Sequence, residues 1–168
     1  MARLSVLHFP DKRLHLKAHE VEVIDEGIQQ LIKDMTETMY YYDGIGLAAI
    51  QVNVQKRIII MDLSGNDEPK NLMVFINPEI LSRIGKVISE EGCLSIPGIY
   101  VKVLRDEVIQ FKYLDIQGQE HKVECKGLMA MCVQHEIDHL DGKVSVEYLS
   151  PLKQNLIKKK MKKLFKPV

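Results

Sequence analysis

The sequence predicts an α+β fold in which mainly antiparallel β-sheets pack around a central helix, with an N-terminal helix and an amphipathic helix at the C-terminus. Two patterns predict this class. Apolar residues recur at three- and four-residue spacing in segments 28–39, 128–139 and 152–165, which is the helical period. Between positions 57 and 125 they instead form short β-branched runs separated by turn residues. A length of 168 residues suits one domain over positions 1–168.

The first helix is expected to begin at Asp25, whose side chain suits an N-cap, and to end near Gly44. Its apolar face comprises Ile28, Leu31, Ile32, Met35 and Met39. The segment GIGLAAIQ follows at 44–51, and a β-branched run at 57–61 predicts a strand. Further strands are predicted at 72–76, 87–89, 101–104, 108–114 and 121–125. Turn residues at 115–118 close a hairpin between the last two.

Helical spacing returns after Gly127 and stops at Gly142. The apolar stripe of this predicted helix comprises Leu128, Met131, Cys132, His135 and His139. A last helix is predicted over 150–168, opposite a face of lysines. Its apolar stripe comprises Leu152, Leu156, Ile157, Met161, Leu164 and Phe165.

The charge of the chain is unevenly distributed. The formal net charge is zero, so nothing attracts the whole molecule to nucleic acid or membranes, and we expect neither DNA nor a membrane as a partner. Seven lysines and no acidic residue lie at 153–166, whereas positions 1–152 carry 16 basic and 23 acidic side chains. A lysine-rich helix is usually only a solvated face, but this one could also contact ribosomal RNA.

Several features indicate a cytoplasmic protein. The opening residues contain only a brief apolar run, stopped by Pro10, and make a poor secretory signal. No stretch approaches the roughly 18 apolar residues of a membrane span. Three cysteines, Cys93, Cys125 and Cys132, make an odd count that argues against a disulfide framework. We expect a monomer in the cytoplasm.

The sequence HEIDH places two imidazoles on one face of a helix. His135 and His139 are one turn apart and could hold one cation, and Glu136 beside them is placed to carry protons. Metallopeptidases with this helix motif take a further ligand from downstream. Here Ser145 occupies the position of a third histidine, and no acidic residue follows Glu147. The third ligand is therefore expected elsewhere.

Cys93 is the strongest candidate for that ligand, because Gly92 permits close backbone approach and thiolates bind divalent transition metals well. These three ligands leave a fourth position for a water nucleophile. Attack on a carbonyl creates an oxyanion, for which the side-chain amide of Gln51 and a backbone N–H next to Cys93 are suitable donors. With Glu136 protonating the leaving amine, the reaction class is amide hydrolysis. The ligand set suits Fe²⁺, Zn²⁺, Ni²⁺ and Co²⁺ alike.

Three motifs together resemble the signature motifs of peptide deformylases: GIGLAAIQ at 44–51, EGCLS at 91–95 and QHEIDH at 134–139. The resemblance extends to the opening FPDxRL and to the chain length, and it is to the compact form common in Gram-negative bacteria. It implies a hydrolase that removes the N-formyl group from the initiator methionine of nascent chains and releases formate. It also implies Fe²⁺ as the physiological metal, one ion per chain.

The same resemblance implies roles for individual residues. It gives three metal ligands, Cys93, His135 and His139. Glu136 is then the catalytic acid and base, and the Gln51 side chain and the Leu94 amide are the oxyanion donors. Five residues are expected near the substrate: Ile45, Gly46, Leu128, Met131 and Cys132. The peptide would lie as an added strand beside the glycine segments near positions 44 and 92.

Two other functions are compatible with parts of the sequence. A small metallopeptidase that cuts internal peptide bonds would share the histidine motif, but it lacks a downstream ligand and leaves the segment 44–51 unexplained. A non-enzymatic protein with a structural Cys-His-His metal and a basic RNA-binding tail would need a closing fourth ligand, for which the sequence offers no obvious residue.

Overall fold

The computed structural model describes residues 2–165; residue 1 and positions 166–168 of the predicted C-terminal helix lie outside the described residues. The described α-helices are α1 (Glu26–Tyr41), α2 (Gly127–Leu140) and α3 (Pro151–Leu164). Short 3-10 helices lie at Lys12–His15, Ala49–Val52 and Ser145–Tyr148. The strands are β1 (Gly46–Ala48), β2 (Ile58–Met61), β3 (Met73–Glu91), β4 (Val101–Leu114) and β5 (Glu120–Lys126). Within residues 2–165, no helix is both long enough and apolar enough to cross a membrane.

The strands form one antiparallel sheet in sequence order, β1-β2-β3-β4-β5, which confirms the predicted α+β class. The predicted hairpin is also present: the Asp115 N–H donates to the Gln119 carbonyl at 2.9 Å, and the Gly118 N–H donates to the Asp115 carbonyl at 2.9 Å. The first helix begins where predicted, because the Asp25 side chain accepts a hydrogen bond from the Ile28 N–H at 2.9 Å.

The prediction of separate strands at 72–76 and 87–89 is wrong, because residues 73–76 and 87–89 belong to the same 19-residue strand β3. Pro78 and the polar residues between them are more typical of a loop than of a strand. Register shifts near Pro78 absorb the irregularity, and pairing with β4 keeps the remainder extended. The segments 101–104 and 108–114 likewise form one strand. Charged residues interrupt the apolar pattern of this strand, which is why the sequence predicted two strands instead of one.

Strand β2 is buried on both faces between two helices. Ile59 and Met61 belong to the core cluster that includes the α2 residues, whereas Ile58 and Ile60 belong to the cluster that includes the α1 residues. All four side chains are 0% exposed. A continuous apolar run is therefore required here, because neither face of the strand contacts water. The sheet thus fixes α2, which carries the two histidines of the HEIDH motif.

Helix α3 starts at Pro151 as predicted, but its predicted apolar stripe is only partly buried. Met161 is fully buried, and Ile157 and Phe165 pack partly against the core. Three leucines of the stripe are exposed instead: Leu152, Leu156 and Leu164. Apolar spacing alone does not reveal this difference, because the helix contacts the body over a narrower face than the stripe covers.

The C-terminus of α2 is closed by a glycine in the left-handed conformation. Gly142 has φ +79°, its N–H donates to the His139 carbonyl, and the Lys143 N–H donates to the Asp138 carbonyl, the hydrogen bonds of a Schellman motif. The Arg57 side chain donates to the Leu140 carbonyl at 3.1 Å. These contacts fix the last turn of α2, which carries His139.

We expect Gly142→Ala to destabilise the fold more than Gly98→Ala. Both glycines have nearly the same φ, +79° and +78°, so both substitutions cost about 1–2 kcal/mol of backbone strain. A Cβ at Gly142 would lie 2.5 Å from the His15 carbonyl oxygen, whereas at Gly98 it would meet nothing within 4 Å. The clash adds about 1–3 kcal/mol. Urea unfolding of both variants measures their free energies of unfolding. Equal losses of stability would contradict the predicted clash at Gly142.

Candidate metal centre and active site

The structure brings three side chains that could hold a metal ion together where the end of β3 meets α2. His135 and His139 lie one turn apart on α2, with ring centroids 4.9 Å apart, and Cys93 lies two residues after β3. The Cys93 Sγ is 3.3 Å from the His139 Nε2. Ligand atoms of the three side chains all lie within 4.8 Å of one another. This is the trio named from the sequence.

A carboxylate outside the trio fixes the His135 ring. The Glu91 Oε1 is 2.9 Å from the His135 Nδ1, which leaves the Nε2 of that ring for a ligand. Burial alone would raise the pKa of Glu91, but hydrogen bonds from Arg105 and His135 outweigh it and lower that pKa to about 2. Glu91 is therefore a carboxylate at neutral pH, and it accepts a hydrogen bond from the protonated Nδ1 of His135.

The three side chains fit a divalent transition-metal ion. A thiol sulfur and two imidazoles form the donor set of many zinc and iron sites, and three ligands leave a position open for water or substrate. Two buried atoms at the centre, the Glu136 Oε2 and the His139 Nδ1, have no hydrogen-bond partner among residues 2–165. The unpaired carboxylate oxygen in particular requires a partner that the described residues do not supply.

Glu136 is a buried acid beside the Nε2 of His135. Its side chain is only 3% exposed, and its Oε1 is 3.6 Å from the His135 Nε2. Burial raises the pKa of Glu136 to about 7, since little water remains to stabilise its charge. A carboxyl group that changes protonation near neutral pH is suited to accept a proton and give it back.

Gln51 is held in one orientation by three contacts. Its Oε1 accepts from the Ala48 N–H at 2.9 Å, which identifies the oxygen, and its Nε2 donates to the Ser95 Oγ at 3.1 Å. The same Nε2 is 3.5 Å from the Cys93 Sγ. A fully buried 3-10 helix carries Gln51, so its amide N–H groups are fixed beside the metal-ligating cysteine. Among residues 2–165, no acceptor is found for the backbone amide of Leu94, which follows Cys93 in the chain.

A pocket of about 440 Å³ opens over these groups. Its wall includes all five residues predicted near the substrate: Ile45, Gly46, Leu128, Met131 and Cys132. Of these, Ile45 and Leu128 are about half exposed at the mouth, whereas Cys132 is buried. Cys93, Leu94, His135 and Glu136 also line the pocket. Gln51 and His139 are not among the residues that line the pocket, although both contact Cys93, which does line it.

Gly46 is required by the close approach of two segments at the pocket floor. A Cβ at Gly46 would lie 2.8 Å from the Cys132 Sγ and 3.4 Å from the Glu136 Cγ. A larger residue would therefore displace the buried thiol or the buried carboxylate. Burial and the nearby Glu136 carboxylate raise the pKa of Cys132, so this cysteine is a neutral thiol in the wall.

Sequence reasoning assigned no role to several polar residues around the centre. Arg105 is 4% exposed and binds the Glu91 carboxylate through two nitrogens, at 2.9 and 2.7 Å. Its third nitrogen donates to Asp138 at 2.6 Å. From the sequence, Asp138 was equally compatible with a group holding an imidazole and with a surface carboxylate; the structure pairs it with Arg105. Glu91 lies within the EGCLS motif, which could have indicated it, but nothing in the sequence marks Arg105 as buried.

Comparisons with known proteins agree with this geometry. A family model described as polypeptide deformylase matches residues 3–155. Peptide deformylase 1 of Burkholderia multivorans is 54% identical over 165 residues, covering 98% of this chain and 90% of the relative. Peptide deformylase of Chromobacterium violaceum is 53% identical, covering 97% and 96%. Both relatives are from Gram-negative bacteria, in agreement with the resemblance to the compact form common in that group.

Solved structures give the same result. A peptide deformylase from Legionella pneumophila matches with a TM-score of 0.90 and 44% identity, covering 97% of this chain and 95% of that one. A peptide deformylase from Ehrlichia chaffeensis in complex with actinonin matches with a TM-score of 0.92 and 43% identity, covering 98% of both chains. This chain therefore belongs to the polypeptide deformylase family.

Proposed function

We propose that this protein removes the N-formyl group from the N-terminal formylmethionine of newly synthesised proteins and releases formate. Deformylation is the known function of the family to which the chain belongs. The observation that carries the proposal is the convergence of Cys93, His135 and His139 beside the unpaired carboxylate oxygen of Glu136, at a pocket that Cys93, His135 and Glu136 line. This pocket offers one side for metal-ligating atoms and another for an apolar side chain.

A metal ion bound by Cys93, His135 and His139 would act as a Lewis acid and lower the pKa of water. Glu136 takes a proton from the attacking water and gives it to the methionine nitrogen as the formyl C–N bond breaks. The products are formate and a free amino group. The raised pKa of Glu136 supports this role, because the group accepts and returns a proton near neutral pH.

The oxyanion that forms on the formyl carbon needs fixed donors. The Gln51 side-chain amide lies beside Cys93, the backbone N–H of Leu94 directly follows Cys93 in the chain, and the contacts of Gln51 with Ala48 and Ser95 hold its N–H groups in place. Preorganised donors of this kind cost no reorganisation during the reaction. We assign both residues to the stabilisation of the oxyanion.

The methionine side chain is proposed to enter the part of the pocket lined by Ile45, Leu128, Met131 and Cys132, with Gly46 as a contact to the peptide backbone. Sulfur-containing and aliphatic side chains adapt well to an unbranched thioether. The exposed edge of β1 at Gly46 could accept the peptide as an added strand, which gives affinity without strong sequence preference.

The test is formate release from a formyl-methionyl tripeptide, with the acetyl-methionyl tripeptide and an internally cleavable peptide as controls. We expect one formate per free amino group from the first substrate and no product from the other two. Fragments from the internally cleavable peptide without formate would favour a metallopeptidase. No product from any substrate, despite one bound metal ion per chain, would favour a structural metal site.

For the metal we propose Fe²⁺, one per chain, with Zn²⁺, Ni²⁺ or Co²⁺ able to replace it. A cysteine ligand at a solvent-accessible ferrous site is prone to oxidation. We therefore expect a preparation loaded with Fe²⁺ to lose most of its formate-releasing activity in air within hours, and one loaded with Ni²⁺ to keep it. Activity assays at intervals, with metal content measured in parallel, check this expectation. Equal decay of both preparations would argue against oxidation as the cause.

We also propose that α3 contacts the ribosome, since its lysines and exposed leucines face outward on a body of opposite charge. Replacing Lys158, Lys159, Lys160, Lys162 and Lys163 with glutamine should abolish cosedimentation with ribosomes at low salt. Glutamine at Lys12, Lys17 and Lys33 is the control. Unchanged cosedimentation of the α3 variant would refute the contact.

The remaining proposals concern the molecule as a whole. We propose one catalytic domain over positions 1–168, with 150–168 as its basic C-terminal segment, acting as a cytoplasmic monomer. Three free cysteines support a reducing compartment. Sedimentation equilibrium at micromolar concentration should give the mass of a single 19.3 kDa chain. A concentration-independent dimer mass would refute the monomer.

A further inference from the structure

Tyr148 lies outside the pocket, on the 3-10 helix just before α3, yet hydrogen bonds connect it to a metal-ligating histidine. Its hydroxyl donates to the Asp138 Oδ2 at 2.8 Å. The same oxygen accepts from an Arg105 nitrogen at 2.6 Å, and the Arg105 guanidinium carbon lies 5.4 Å from the centre of the Tyr148 ring. Tyr148 is 49% exposed, whereas Arg105 is buried. The tyrosine thus covers the outer side of a buried charge.

The inner side of Arg105 faces Glu91. Two of its nitrogens bind the two oxygens of that carboxylate, and the Glu91 Oε1 also accepts from the His135 Nδ1. Arg105 is a planar group with a fixed fork of donors, so its rotation is set by both carboxylates at once. If the hydrogen bond between Arg105 and Asp138 is lost, the guanidinium can rotate, and it then no longer fixes the Glu91 carboxylate.

We propose that Tyr148 and Asp138 are positioning residues for His135, acting through Arg105 and Glu91. Asp138 holds the third nitrogen of Arg105, and the Tyr148 hydroxyl and ring restrict both groups to one arrangement. The Glu91 carboxylate then stays in the plane in which it accepts from the His135 Nδ1, and the Nε2 stays directed towards Cys93 and His139. This inference rests on the proposed metal centre and not on the identity of the substrate.

Partners of this kind commonly change metal affinity by about 10–100-fold when they are lost. We expect the inner substitution Glu91→Gln to increase the rate at which a chelator removes Co²⁺ by about 10–100-fold. The outer substitutions Asp138→Asn and Tyr148→Phe should act in the same direction with smaller effects, about 10-fold and about 3-fold. The visible absorption bands of the Co²⁺ protein should shift in all three variants.

The matched control is Tyr40→Phe. The Tyr40 hydroxyl donates to the Asp62 Oδ2 at 2.6 Å, so the substitution removes the same kind of bond from a place without contact to the metal-ligating residues. This variant should lose stability without a change in Co²⁺ release or absorption. A merely structural role of Tyr148 would give the same pattern as this control.

The double variant Tyr148→Phe/Glu91→Gln tests whether the outer residue acts through the inner one. If it does, Tyr148→Phe adds nothing to Co²⁺ release once Glu91 is glutamine, and the two effects are not additive. Full additivity, or wild-type Co²⁺ release from Tyr148→Phe, would overturn the inference while leaving the proposed function intact. A wild-type protein that binds no Co²⁺ would overturn the metal centre itself, and the inference with it.

Discussion

The substitution Glu136→Gln should lower kcat for formate release by about 10²–10⁴-fold, the range by which general acid–base catalysis accelerates reactions. Glutamine has nearly the same shape, but it cannot accept the proton of water and return it to the leaving nitrogen. Because the carboxylate is buried next to the three metal-ligating side chains without being one of them, the variant should retain its metal and a KM close to the wild-type value.

Steady-state kinetics and metal analysis of the purified variant check this prediction. Glu90→Gln is a suitable control, because that residue lines the same pocket but is exposed. A Glu136→Gln protein with full activity would remove Glu136 from the proposed proton transfer. A variant that loses both metal and activity would indicate that the carboxylate holds the ion instead of moving protons.

The second large effect is expected from His139→Ala. This side chain is 0% exposed, and its Nε2 faces the Cys93 Sγ at 3.3 Å. Its removal leaves two of three protein ligands, so we expect bound metal to fall to a small fraction of one per chain and formate release to fall more than about 10³-fold.

Thermal unfolding gives a second readout, independent of catalysis. A ligand that binds only the folded state raises Tm, so added Co²⁺ should raise the wild-type Tm but not that of His139→Ala. His121→Ala, which removes a half-exposed histidine paired with Asp115, should behave like the wild type. Full metal content in His139→Ala would exclude His139 from the ligand set.

The helices and the hairpin closed at 115–118 could be predicted because their signals are local. Asp25 caps α1, and Gly127 and Gly142 mark the two ends of α2. Each of these residues acts only on residues near it in the sequence. The continuity of β3 could not be predicted, since Pro78 and a polar surface usually indicate a loop. Pairing with β4, distant in sequence, keeps that segment extended, and such pairing leaves no local pattern.

The candidate site divides in the same way. The spacing of His135 and His139 and the absence of a downstream ligand pointed to Cys93, and the three side chains do lie together. The network of Arg105, Glu91 and Tyr148 escaped sequence reasoning, because a buried ion pair has no periodicity. Charged residues interrupt the apolar pattern of β4 in the sequence. In the fold one of them, Arg105, binds Glu91, and Glu91 fixes the orientation of the His135 ring.

The most direct test of metal-dependent deformylation with Glu136 as the proton carrier measures formate and bound metal together. The wild-type protein and Glu136→Gln are purified without oxygen and given the same formyl-methionyl peptide. We expect one metal ion per chain in both proteins, with rapid formate release, equal to the free amino groups formed, only in the wild type. Equal formate release from both proteins, or a wild-type protein that holds metal and leaves the formyl peptide intact, would contradict this mechanism.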